Sequence, residues 1–381
     1  MVAKRRSSTV PRDWAWLPCN VLDSILTHLP TLRDYLRFTS VCKPWNSASE
    51  PHARRRTATS HRSQAPLLLV PTRTRSREWR GLYDAAQQNK LLSHALPVPY
   101  HRRCCGSSHG WLAFLERDYF VTLYNPFTRA RISLPRIIPA PDYITTVIDR
   151  AKHDRYFPYD VKKEWKHAAG WVEAIDNNNP PFSHLLSDVI FRRDRDGGDW
   201  VYASGHCGLL ARAECGGGGG EVRMELVVPP WGPDYCCTVY KYLVESSDGR
   251  DLLVVLRFYE EMEGYEFSMA TRDVKVFRLR RKEEEEEGFV EVKDLNGDAV
   301  FVGDSYSTAV RAGDFEDCRA DCVYYSDDFT SYFPSEDRLG PHDVGVFDVK
   351  EEKFGSHYVP TPARNRGMPP PIWVFPTLTS G

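Results

Sequence analysis

Hydrophobic positions near the start of the chain follow a helical period. Val21, Leu22, Ile25, Leu26 and Leu29 recur at intervals of three and four, which gathers them on one side of a short helix. Pro18 stands just ahead of them, a favoured place because the first helical N–H groups have no partner to lose. Pro30 ends that helix, and Thr31 opens a second, with Asp34 three residues on in the place of a capping-box Glu. Leu32, Tyr35 and Leu36 give the second helix its apolar side, and Phe38, Val41, Cys42 and Trp45 carry the pattern into a third helical piece. Isolated chains below ~40 residues rarely bury their own apolar faces. The surplus of Leu, Ile, Val and Trp between residues 14 and 45 therefore expects a partner.

From Pro66 the period changes. Apolar runs of strand length occupy residues 67–70, 110–115, 120–124, 189–191, 200–203, 240–244, 252–258, 274–279, 299–302, 322–325 and 344–349. Many are separated by Asp-Gly, Asn-Gly, Asn-Pro or Gly-Gly, the residues that tight turns demand. Helical periodicity is confined to residues 79–92, which predict a short helix or an irregular entry segment. Many short strands between turns predict a mainly β domain, either sandwich, barrel or propeller. An internal echo favours the propeller. Residues 120–129 lead into 132–135, residues 274–279 lead through an acidic loop into 289–292, and residues 344–350 lead into Phe354. Each reads as the outer hairpin of a blade. About 300 residues at ~40–45 per blade predict six or seven blades.

Composition narrows the function classes. A chain of 381 residues suits a small module followed by one large domain. A net charge of −2 gives no electrostatic footprint for nucleic acid, and no apolar run approaches the ~20 residues that span a bilayer. Ten cysteines raise the disulfide question, but Met1 to Thr9 is basic and polar without an apolar secretory core. The expected setting is therefore intracellular, nucleus or cytoplasm, with reduced thiols. Lys4-Arg5-Arg6 is too short to decide between the two. The basic stretch 46–65 lacks the interleaved aromatics of a nucleic-acid arm and reads as a linker or partly helical spacer.

No motif supplies catalytic chemistry. The run Gly216 to Gly220 is followed by Glu-Val-Arg instead of the Lys-Ser/Thr of a phosphate loop. Glu283 to Glu287 reads as a solvated loop. Cys318 and Cys322 are too far apart for a zinc knuckle, and the adjacent pairs Cys104-Cys105 and Cys236-Cys237 suit zinc poorly. His206 and Cys207, as strand neighbours, would point to opposite faces. No metal, cofactor or catalytic residue is expected.

The ordered set Leu17-Pro18, Ile25, Leu29-Pro30, Asp34, Phe38, Val41-Cys42 and Trp45 resembles the F-box, the adaptor-binding motif of SCF-type ubiquitin ligases. Asn20, where the motif often has an acidic residue, and Pro44, inserted before the tryptophan, depart from it. A second resemblance covers most of residues 66–360. Gly106-Ser-Ser-His-Gly-Trp-Leu112, Leu123-Tyr-Asn-Pro-Phe-Thr128, Ile132 to Pro135, Tyr242 to Ser246, Val276 to Leu279, and Asp321 to Asp328 resemble, in order, the plant F-box family with a KIB-type β-propeller. Residues 136–166 match it poorly.

These resemblances imply residues 1–11 as a disordered terminus, 12–50 as F-box, 51–65 as linker, 66–360 as β-propeller, and the Pro-rich segment 361–381 as its closing piece. They imply adaptor contact by Leu17, Pro18, Val21, Leu22, Ile25, Leu26, Leu29, Pro30, Leu32, Leu36, Val41, Cys42 and Trp45. The implied function is a non-catalytic substrate receptor, partnered by the SCF adaptor, through it a cullin scaffold, and by an unknown target protein. The alternatives are a propeller hydrolase with carboxylates in its channel and an adaptor-bound assembly factor outside ubiquitination.

Overall fold

Helix α1, Cys19–Thr27, begins directly after Pro18, whose carbonyl accepts the N–H groups of Val21 and Leu22 at 2.9 and 3.1 Å. Helix α2, Leu32–Thr39, carries Asp34 in its first turn and Arg37 in its last, 3.5 Å apart. Helix α3, Lys43–Thr59, is longer than the short piece expected, because Pro44 falls in its first turn, where a missing N–H costs nothing. Pro51 lies inside the helix without ending it. The stretch 51–65 thus begins as helix. Both α1 and α2 pack on α3. The covered faces hold Leu22, Leu26, Tyr35 and Phe38, and the Tyr35 hydroxyl donates to the Ser49 carbonyl at 3.0 Å.

The computed structural model describes residues 14–29, 32–59, 65–71, 78–86, 90–100, 103–108, 110–116, 120–134, 186–193, 197–205, 209–214, 224–228, 239–262, 269–280, 288–303, 305, 307–315, 317–327, 342–355 and 369–376. Contacts divide the chain into two compact units, the first holding the helices and the second running from Ala65 to Pro376.

The second unit is built of antiparallel sheets. β1 (Leu67–Pro71), β2 (Arg80–Asp84) and β3 (Lys90–Leu96) form the first. β4 (Arg103–Ser108), β5 (Trp111–Leu115), β6 (Val121–Tyr124) and β7 (Arg131–Ser133) form the second. β8 (Leu186–Arg193), β9 (Asp199–Gly205), β10 (Leu210–Glu214) and β11 (Met224–Val228) form the third. β12 (Val239–Glu245), β13 (Leu252–Glu261), β14 (Met269–Leu279) and β15 (Phe289–Val292) form the fourth. The fifth holds β16 (Asp298–Val302), β17 (Thr308–Arg311), β18 (Cys322–Tyr325), β19 (Gly345–Asp348) and β20 (Lys353–Phe354), with β16 and β18 parallel. Finally β21, Ile372–Val374, returns to pair with β1 and completes the first sheet.

This is the arrangement of a β-propeller. Among the described residues it has five sheets, against the six or seven blades expected. Neighbouring sheets meet through β21 and β4, β8 and β12, and β12 and β17, so these edge strands are the innermost. Where a short helix or entry segment is expected over 79–92, the described residues contribute β2 and the first three residues of β3. Each residue of β2 is buried, and a strand enclosed on both faces loses the alternation that would mark it in sequence.

Apolar side chains fill the seams between sheets. One cluster joins the fifth sheet to the first through Phe301, Tyr324, Leu68, Tyr83 and Trp373. Others join the fourth to the fifth and the third to the fourth. Trp373 on β21 is fully buried, stands edge-on to Phe301 at 5.2 Å, and donates its indole N–H to the Val302 carbonyl at 2.9 Å. Gly303 makes room for it, since a Cβ there would lie 2.9 Å from the indole and 2.3 Å from the Ser326 hydroxyl. The C-terminal segment thus supplies both a strand and an aromatic bolt to the ring.

Candidate functional site

In the helical unit, the 3-10 turn Trp14–Trp16 precedes α1, and both tryptophans stand in water at 64% and 75% exposure. The Trp14 carbonyl accepts the Trp45 indole N–H at 2.9 Å, and the Trp45 ring lies 4.6 Å from Phe38, tilted by 38°. The 3-10 turn is thereby tied to α3. This bond depends on Trp45 standing in the first turn of α3, which the early proline at position 44 allows.

The thirteen residues expected to meet an adaptor divide by exposure. Pro18, Val21 and Val41 are exposed, and Leu17, Ile25, Leu29, Cys42 and Trp45 are half-buried. Leu22 and Leu26 are only 2% exposed, on the covered side of α1. They shape the helical pack from within instead of offering contact area. The reason is geometric: five apolar positions at helical spacing spread over more than one face, so some point inward and others outward. Pro30 lies outside the described residues, as do the side chains of Leu32 and Leu36. Trp14 and Trp16 were not among the expected contacts, although large aromatics beside a docking motif are the side chains that most often anchor interfaces.

The β unit holds a second concentration of chemistry, at the seam of the fourth and fifth sheets. Arg257 on β13 is fully buried. Its guanidinium donates to Asp343 Oδ2 at 2.8 Å, the Thr271 hydroxyl at 3.0 Å, the Tyr242 hydroxyl at 3.1 Å and the Ser326 carbonyl at 2.8 Å. The rings of Tyr259 and Tyr325 cover it at 4.8 and 4.7 Å. A register shift between β13 and β14 builds this setting. Tyr259 faces Thr271 where Phe258 faces Asp273, so Arg272 is turned out and Thr271 turned in. Burial pushes the Tyr325 phenol up, and that of Asp327 raises its carboxyl to about 6 despite the pull of His342. No sequence signal joins these residues, since Arg257 and Asp343 lie 86 positions apart.

The cysteine candidates behave as packing. Burial pushes the Cys318 and Cys322 thiols up to about 12 and about 11, the reverse of what a nucleophile or ligand needs. Among the described residues no group of three His, Cys, Asp or Glu side chains is placed to hold a metal ion. Gly216 to Gly220, Glu283 to Glu287, His206-Cys207 and Cys236-Cys237 lie outside the described residues. Among the described residues no helix is long and apolar enough to cross a membrane.

The family model for the KIB1-4 beta-propeller matches residues 82–348. The chain belongs to this family. It is 27% identical to F-box protein SKIP23 of Arabidopsis thaliana over 95% of both chains. It is 25% identical to F-box protein At4g35733 of the same plant, over 82% of this chain and 89% of that one. F-box protein At3g56470, also from that plant, is 32% identical over 33% of this chain. A match spanning 95% of 381 residues leaves about 19 outside, so it cannot omit the whole of residues 14–45. The KIB-type propeller and its N-terminal helical module thus occur together in its relatives, and the chain is a plant-type F-box protein with a KIB-type propeller.

Proposed function

We propose that this protein is the substrate-recognition subunit of an SCF-type cullin-RING ubiquitin ligase. Its helical module docks on the adaptor, and through it on the cullin scaffold, while its propeller binds a target protein. The observation behind this reading is the apolar surface that the helical unit leaves in water, where Trp14, Trp16, Val21 and Val41 are all exposed. Placed beside half-buried Leu17, Ile25 and Leu29, they give anchors of the kind that carry most of an interface's affinity. The chain contributes no covalent chemistry. Its action is proximity: tethering the target raises the effective concentration of its lysines near the ubiquitin carrier. The setting is the nucleus or the cytoplasm.

The test is co-purification of adaptor with the Leu17→Ala, Pro18→Ala double variant. Adaptor recovery should fall while the melting transition of the β unit stays in place. Undiminished recovery would overturn the reading. In cells, deleting residues 14–45 should stabilise the target, which separates a ligase receptor from an assembly factor.

A further inference from the structure

Trp16 is the most exposed large apolar side chain among the described residues, at 75%. It closes the 3-10 turn Trp14–Trp16 and stands directly before Leu17 and Pro18, yet the docking motif read in the sequence does not include it. A single apolar residue in water is ordinary. Here exposed Trp16 is continuous with exposed Trp14 and Pro18 and half-buried Leu17, and an apolar run of that kind marks an interface.

Three residues of 3-10 helix do not hold themselves, because so short a turn has too few hydrogen bonds to offset the ordering of its backbone. Trp45 supplies the missing tie. Its indole N–H donates to the Trp14 carbonyl at 2.9 Å, across 31 positions of chain. Its ring lies 4.6 Å from Phe38, a buried side chain of α2. An indole has one donor and no acceptor, so the polar group of Trp45 is spent inside the helical unit. The Trp16 ring, by contrast, is turned to water. The two tryptophans therefore differ in role: one fixes the turn, and the other is what the turn presents.

We propose that Trp16 is an anchor on the adaptor, outside the F-box contact set, and that Trp45 serves docking as a positioning residue by holding the Trp14–Trp16 turn in place. This rests on the adaptor-docking reading above. The occupant follows from position, since a partner that covers Leu17 and Pro18 reaches the residue bonded to Leu17. A ring already fixed by its turn has less freedom to lose on binding, and that saving appears as affinity.

Calorimetric titration of the full chain with purified adaptor tests it, with melting followed in parallel. Trp16→Ala should weaken binding at least about tenfold, the scale of an aromatic anchor, and leave the melting transition in place. Trp45→Phe keeps a ring beside Phe38 but has no N–H for Trp14, and should weaken binding about fivefold, the worth of one hydrogen bond. The double variant should bind no more weakly than Trp16→Ala alone, because freeing the turn costs nothing once its anchor is gone. A merely structural role of Trp45 would not produce that coupling. Should Trp45→Phe not fold, Trp16→Ala still decides the anchor. Unchanged binding by Trp16→Ala, or losses that add in the double variant, overturns the inference. So does a lower melting point of Trp16→Ala with binding kept, which would place the ring in a contact within the chain. Failure of the docking reading itself looks different: the unaltered chain does not bind, or the Leu17→Ala, Pro18→Ala variant binds equally well.

Discussion

Arg257 shows how a single side chain organises a seam. Its guanidinium donates to Tyr242, Thr271, Ser326 and Asp343 and stacks against tyrosines, yet the partners of those hydrogen bonds lie between 14 and 86 positions away in the chain. A buried ion pair gains little net stability over apolar residues of the same shape, because both charges leave water. Losing one partner is different, since it strands the other. Arg257→Ala should therefore lower the unfolding free energy by about 3–5 kcal/mol in urea titration. Arg257→Met with Asp343→Leu should recover a large part of that loss, which distinguishes a stranded charge from a lost cavity filler. In sequence, Arg257 is one polar letter inside the strand 252–258. Trp45 was more legible, but the half-buried ring and its bond to Trp14 O give it a share in the fold as well as in docking.

At the scale of elements, turns were the most readable feature. The three echoing segments are β6–β7, β14–β15 and β19–β20, each the outer hairpin of its sheet. The first and last share their turn chemistry. Asn125 Oδ1 accepts the N–H groups of Phe127 and Thr128 at 3.0 Å, and Asp348 Oδ1 accepts that of Glu351 at 3.0 Å. Four residues after each stands a left-handed residue, Arg129 at φ 63° and Glu352 at φ 52°. Asx side chains satisfy their own turns locally, so the sequence alone can announce them. By contrast β2 and β21 were missed, the one because it is buried on both faces and the other because it is only three residues long. β21 still carries weight. Trp373→Ala should cost about 3–5 kcal/mol, the usual range for a buried tryptophan. Ending the chain at residue 368 should cost more, because it also frees the edge of β1, and loss of a cooperative melting transition is the expected readout.

For the whole molecule, the division at residues 64 and 65 makes a separability test. A fragment from residue 65 to the C-terminus should keep one cooperative transition within a few degrees of the full chain and stay monomeric. A fragment that aggregates or melts far lower would show that the helices complete its core. The apolar surface lost with the helices is what the proposed adaptor covers, so the fragment should also fail to recover adaptor.

The sequence by itself determined the helical module, the mainly β body, the outer hairpins and the family, because these rest on periodicity, local turn chemistry and ordered motifs. Only the tertiary structure decided which apolar residues of α1 face inward, that the C-terminal strand closes the first sheet, and that Arg257, Asp343, Asp327 and His342 meet at one seam. Those outcomes depend on contacts between residues far apart in the chain, where no local rule of spacing applies and burial, not pattern, selects the partner.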